Sequence, residues 1–186
     1  LTELTIAIKV RPMGTADGGW VCIGTSNNNR DGYTGLRRDE YTEVRGCYYN
    51  GTGVAKRVNA PENALPVGTA KTVVLTARSG ENPSLYVDGI NVSTLQEDSN
   101  DGNAGDGKLY IGAGVKGPGY SWIEYVYIWT RVLTDEEINV VATQPYCMFS
   151  TRSTWDIGAF EYVASGGGGV SIIPIIMNHL QKMRAN

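Results

Sequence analysis

The chain opens on an alternation. In LTIAIKV at 4–10, Leu4, Ile6, Ile8 and Val10 fall on one side and Thr5, Ala7 and Lys9 on the other. Period two is the signature of a strand with one buried face. Pro12 and Gly14 close it. The same grammar recurs: GGWVCIGT at 18–25, 33–38, YTEVRGCYY at 41–49 and VAKRV at 54–58 are short apolar-rich runs punctuated by Gly, Asn and Asp. KTVVLTAR at 71–78 is rich in β-branched residues, and SLYVDGINVST at 84–94 contains a hairpin turn at Asp88-Gly89. After a polar stretch at 96–107, expected as a loop, come strands KLYIGAG at 108–114 and WIEYVYIWT at 122–130. The last is apolar or aromatic on both faces, which predicts a central strand covered on both sides.

One helix is expected within this region, LTDEEINVV at 133–141. Thr134 and Glu137 have the N-cap and N3 spacing of a capping box, Asp135 and Glu136 suit the positive helix start, and Leu133 can pack back as a staple. Ten or eleven short strands with Gly and Pro turns, and no strand–long-helix alternation, predict an all-β, two-sheet antiparallel jelly-roll sandwich with one short helix and a C-terminal extension. The sandwich is expected over 1–143, a wrapping segment and glycine-rich joint over 144–169, and an apolar, helical tail over 170–186. In that tail Ile172, Ile173, Ile176, Met177 and Leu180 form a stripe at helical spacing, an assembly surface for another chain or a monomer's own docking face.

Composition narrows the function classes. Sixteen basic against nineteen acidic residues leave a net charge of −3, without the broad positive field of nucleic-acid binding. No apolar run approaches the ~20 residues of a membrane span. Arg37, Arg38 and Arg45 fall close together and are expected as solvated strand and loop residues. Cys22, Cys47 and Cys147 are too few and too scattered for a zinc site or a disulfide scaffold; they read as small buried residues, one long-range disulfide being the alternative. The chain begins without Met and shows no cleavable apolar leader, so it is expected to be processed or a piece of something longer.

The segments KTVVLTARSGENPSLYVDG at 71–89, KLYIGAG at 108–114 and IEYVYIWTRVLTDEEI at 123–138 together resemble laminin G-like and pentraxin-like jelly rolls of the concanavalin A-like lectin/glucanase superfamily, with LTIAIKVRP at 4–12 as the first core strand. PYCMF at 145–149 is similar to the ends of such modules in bacteriophage virion proteins. The resemblance implies a structural or decorating module of a virion or other large extracellular assembly. Its partners would be other chains, as a homo-oligomer or with capsid or tail proteins, and its location the virion surface or extracellular space. The alternative is a carbohydrate-binding adhesion module for a cell-surface glycan. Aromatics near turns are the candidate ligand platform: Trp20, Tyr33, Tyr48, Tyr49, Tyr120 and Trp122, each weighed against core or rim packing. No cofactor is expected; the metal the composition offers is calcium, through Asp98, Asp101 and Asp106, against a plain solvated loop. A third reading, glycoside hydrolase, needs two carboxyl groups about 5.5 Å apart, and the related glucanases carry acids at alternate positions of one strand. Here Glu124 is followed at those positions by Val126 and Ile128, and the lone His179 has no nucleophile beside it. The expectation is that the chain is not an enzyme.

Overall fold

The computed structural model describes residues 2–16, 18–24, 34–38, 44–49, 55–99 (95–99 by backbone alone), 108–112 and 120–146. Its elements are β1 (Glu3–Pro12), β2 (Gly18–Ile23), β3 (Thr34–Arg38), β4 (Val44–Tyr49), β5 (Ala55–Asn59), β6 (Lys71–Arg78), β7 (Ser84–Val87), β8 (Ile90–Asn91), β9 (Leu95–Ser99), β10 (Leu109–Ile111), β11 (Ser121–Trp129) and α1 (Asp135–Thr143). They form two sheets, a five-stranded one ordered β11-β1-β6-β7-β8 and a six-stranded one ordered β10-β2-β3-β4-β5-β9. Neighbouring strands are antiparallel throughout. This is the expected sandwich.

The core follows from the alternation. Leu4, Ile6, Ile8 and Val10 of β1, Val73 and Leu75 of β6, and Leu85 and Val87 of β7 meet Trp20, Val21, Leu36, Val44 and Val58 of the other sheet. The Asp88-Gly89 hairpin forms as its sequence requires, with φ of 50° and 83° at the two residues, the left-handed pair that such a turn demands. The Asp88 side chain accepts from Thr72 N–H at 2.9 Å and pairs with Lys71 at 2.6 Å.

On the outer side of the five-stranded sheet, Ala7, Val74, Tyr86 and Trp129 receive Ile138 and Val141 of α1. The capping box is present at Thr134 and Glu137, and Leu133 packs with Ile138 as the staple. Buried Thr5 ties the helix approach down: its Oγ1 donates to Arg131 O at 2.7 Å and accepts from Leu133 N at 3.1 Å.

Two expectations are corrected. Strand β11 is an edge of its sheet, paired only with β1 among the described residues. Its two-sided aromatic pattern arises because Tyr125, Tyr127 and Trp129 stack along the outer face where the helix region seats. The polar stretch after 94 is not all loop, since 95–99 pairs with β5 as an edge strand. Polar residues suit an edge, and they carry no period to reveal it.

Candidate functional site

Leu36, Val44 and Val58 point into the core, so Arg37, Arg45, Arg57 and Asn59, one residue along the same strands, point out of the six-stranded sheet. Register brings them together. Arg37 stands opposite Arg45, and Arg45 opposite Asn59. Arg57 stands opposite Cys47 on one side and Glu97 on the other. Arg45 Nε donates to Asn59 Oδ1 at 2.8 Å, which fixes the guanidinium's orientation. Tyr49 lies four residues beyond Arg45 along β4 on the same face, its N–H donating to Thr34 Oγ1 at 3.0 Å. Arg45, Arg57 and Tyr49 are half-buried, Arg37 is buried. A guanidinium is planar and presents its N–H groups as a fork, a shape that matches a carboxylate.

The same face holds two buried thiols. Cys22 and Cys47 flank Gly35 on adjacent strands and pack with Tyr110. They are the small buried residues that composition suggested, and Cys147 lies outside the described residues.

The expected solvation of Arg37 and Arg38 is overturned, since each is only 2% exposed. Arg38 shares the inward parity of Leu36 and stands opposite Val44. Its Nε and both terminal nitrogens find no hydrogen-bond partner among the described residues, and burial lowers its pKa from the ordinary arginine value.

The aromatic candidates separate into three groups. Trp20 and Tyr48 are core residues, 0% and 1% exposed, and not a ligand surface. A bulge between Gly19 and Val21 turns Trp20 inward, and its indole Nε1 donates to Ser121 Oγ at 3.0 Å. Tyr48 has the inward parity of Val44 and Gly46, and burial raises its pKa. Tyr49 belongs to the arginine face. Tyr120 and Trp122 are exposed, 68% and 69%, and lie together at the start of β11. Tyr33 lies outside the described residues, as do Asp101, Asp106 and the tail positions Ile172, Ile173, Ile176, Met177 and Leu180.

Asp98 lies in β9 with its backbone in register with Lys56, a strand position rather than a loop position. Among the described residues no cluster of three metal-ligating side chains occurs, and no helix is long and apolar enough to cross a membrane.

Glu124, the acid weighed for hydrolysis, pairs with Lys9 at 3.2 Å and accepts a short hydrogen bond from the Tyr146 hydroxyl. Those contacts, Tyr146 first, hold its carboxyl below the usual range. A carboxyl kept ionised in this way suits electrostatic anchoring better than proton donation.

Solved structures with this fold include the CBM40 of the Ruminococcus gnavus IT-sialidase bound to alpha2,3 sialyllactose. The two share 21% identity with a TM-score of 0.60, over 76% of this chain and 83% of that one. The receptor binding domain of botulinum neurotoxin C/D mosaic serotype aligns at 13% identity and TM-score 0.54, over 76% of this chain and 36% of that one. Trypanosoma rangeli sialidase aligns at 18% and 0.53, over 78% of this chain and 23% of that one. None of the curated proteins matches the chain by sequence. A laminin G-type family model, described as the concanavalin A-like lectin/glucanases superfamily, matches residues 1–139. With that match over most of its length and the two-sheet jelly roll that it implies, the chain belongs to the concanavalin A-like lectin/glucanase superfamily.

Proposed function

We propose that this chain is an extracellular carbohydrate-binding module that takes an acidic sugar on the outer face of its six-stranded sheet. The observation that carries the reading is the outward, half-buried Arg45 and Arg57 with Tyr49 on the same face. A sugar carboxylate is drawn to this positive charge, and the tyrosine ring packs on the sugar's apolar side. The similar structures named above include a sialyllactose complex and a toxin receptor-binding domain. They support the adhesion alternative over the virion-structural reading. The role is binding without turnover.

Calorimetric titration of the full chain with 3′-sialyllactose and with lactose tests this. Sialyllactose is expected to bind at least about tenfold more tightly than lactose. Arg45→Ala is expected to weaken it by about 10–100-fold, the scale of a lost charge-assisted pair. Arg45→Lys restores charge but not the fork, and recovers only part. Equal binding of the two sugars, or no loss in Arg45→Ala, would refute the acidic-sugar site. Release of free sialic acid on incubation would refute the non-catalytic role.

A further inference from the structure

The arginine face leaves the exposed aromatic pair unexplained. Trp122 and Tyr120 are among the most exposed large hydrophobic side chains of the described residues. Leaving such area in water is unfavourable unless something uses it. The backbone beneath is fixed. Ser121 lies between them and holds the Trp20 indole through its Oγ at 3.0 Å. Met13 N–H donates to Tyr120 O at 2.7 Å, prolonging the β1–β11 pairing beyond the strand. Arg11, opposite Trp122 in register, places its guanidinium 5.5 Å from the indole centroid, a cation–π contact that restrains the ring. Glu124 and Lys9 follow on the same strands, carrying hydrogen-bonding charge beside the aromatic surface.

We infer that Trp122 and Tyr120, with Arg11 as polar flank, form a second binding site that takes a neutral pyranose ring. A pyranose is amphipathic in the way this patch is: its C–H face stacks on an indole, while its hydroxyls reach a cation and a carboxylate at the rim. The charged flank fits a sugar better than an apolar protein surface, for which burying Arg11, Lys9 and Glu124 imposes a desolvation cost. Restraint of the indole by Arg11 means little ordering entropy is lost on binding. The site is on the five-stranded sheet, apart from the arginine row on the six-stranded one, and goes beyond the acidic-sugar reading.

The experiment is saturation-transfer difference NMR on the full chain with lactose, cellobiose and mannobiose, followed by titration of whichever binds. The expected result is weak binding of at least one disaccharide, reduced about tenfold or more in Trp122→Ala and in Tyr120→Ala. Trp122→Phe recovers part of it, and Arg45→Ala leaves it unchanged. Because both aromatics are exposed, matched thermal unfolding curves confirm that the variants are folded. Failure of all three sugars to bind overturns the inference, as does binding that Trp122→Ala and Tyr120→Ala leave intact. Loss of neutral-sugar binding in Arg45→Ala also overturns it, by placing the sugar on the other sheet. If sialyllactose fails to bind while the neutral sugar still depends on Trp122, only the acidic-sugar reading falls.

Discussion

Two glycines on neighbouring strands avoid different obstacles, a side chain and a backbone, and substituting each by alanine separates them. Gly46 stands in register between Leu36 and Val58 and faces across the sandwich to Leu75. A methyl there would lie 2.5 Å from Leu75 Cδ1 and 3.1 Å from Val58 Cγ1. The nearer atom is the tip of a side chain that can turn, though Ile6 and Leu85 beside it limit how far. Overpacking of this kind costs about 1–3 kcal/mol, and a side-chain tip as the obstacle points to the lower half of that range. At about 2–4 °C per kcal/mol for a chain of this size, Gly46→Ala should melt about 2–8 °C lower. At Gly35 the methyl would lie 1.9 Å from Val21 O and 2.9 Å from Val21 C, both backbone. No rotamer relieves that, so β2 and β3 must separate and the cost is greater. Guanidinium denaturation followed by circular dichroism gives the comparison. Leu75→Val shortens the obstructing side chain, so the double variant with Gly46→Ala should be more stable than the summed single effects by about 1 kcal/mol. No side-chain truncation rescues Gly35→Ala. Additivity of Gly46→Ala and Leu75→Val within about 0.5 kcal/mol, or a Gly35→Ala protein as stable as Gly46→Ala, would refute the reasoning. Because Gly46 adjoins Arg45, sialyllactose affinity in Gly46→Ala also reports whether a core shift reaches the outer row.

Acid stability should depend on the helix cap. The Glu137 carboxyl is held below its ordinary pKa, chiefly by Arg131, whose two nitrogens donate at 2.6 and 2.7 Å, and also by the Thr134 backbone. A carboxyl with a lowered folded-state pKa contributes stability that is full above its unfolded value and lost as pH falls through the folded value. The stability gap between the native chain and Glu137→Gln should therefore be widest near pH 7 and shrink below about pH 5; a gap constant to pH 3 counts against it. The buried tryptophans should also differ. Trp20 Nε1 donates to Ser121, whereas Trp129 Nε1 has no hydrogen-bond partner among the described residues. Trp20→Phe should cost about 1 kcal/mol more than Trp129→Phe, and equal denaturation midpoints would contradict this.

The fold was legible because its signals are local. Alternation in β1 and β6, the Asp88-Gly89 turn and the Thr134–Glu137 box each specify a conformation within a few residues, and the structure has them all. Lateral position was not legible. The aromatic pattern of β11 records that both faces are covered, and a helix on one side satisfies it without a second neighbouring strand. For β9 the sequence has no apolar period, so only pairing with β5 makes it a strand. For Trp20 the sequence left a ligand platform and core packing both open. The bulge that sets Trp20 and Val21 both against Leu36 is a property of the strand pair and not of either strand.

The arginine row shows a different kind of concealment. Arg37, Arg45 and Arg57 lie on three successive strands, and antiparallel register sets Arg37 opposite Arg45, with Arg57 one pleat along, opposite Cys47. Parity was nevertheless available: once Leu36, Val44 and Val58 are assigned inward, each arginine follows outward by a single step. The two outer faces then differ in kind. On the five-stranded sheet Ala7, Val74, Tyr86 and Trp129 are apolar and seat α1. On the six-stranded sheet the corresponding places hold guanidinium groups, an asparagine and Tyr49. A sandwich needs only its inner faces to be apolar for stability, so the composition of an outer face records what lies against it. One face seats a helix, and the other carries guanidinium, amide and phenol side chains.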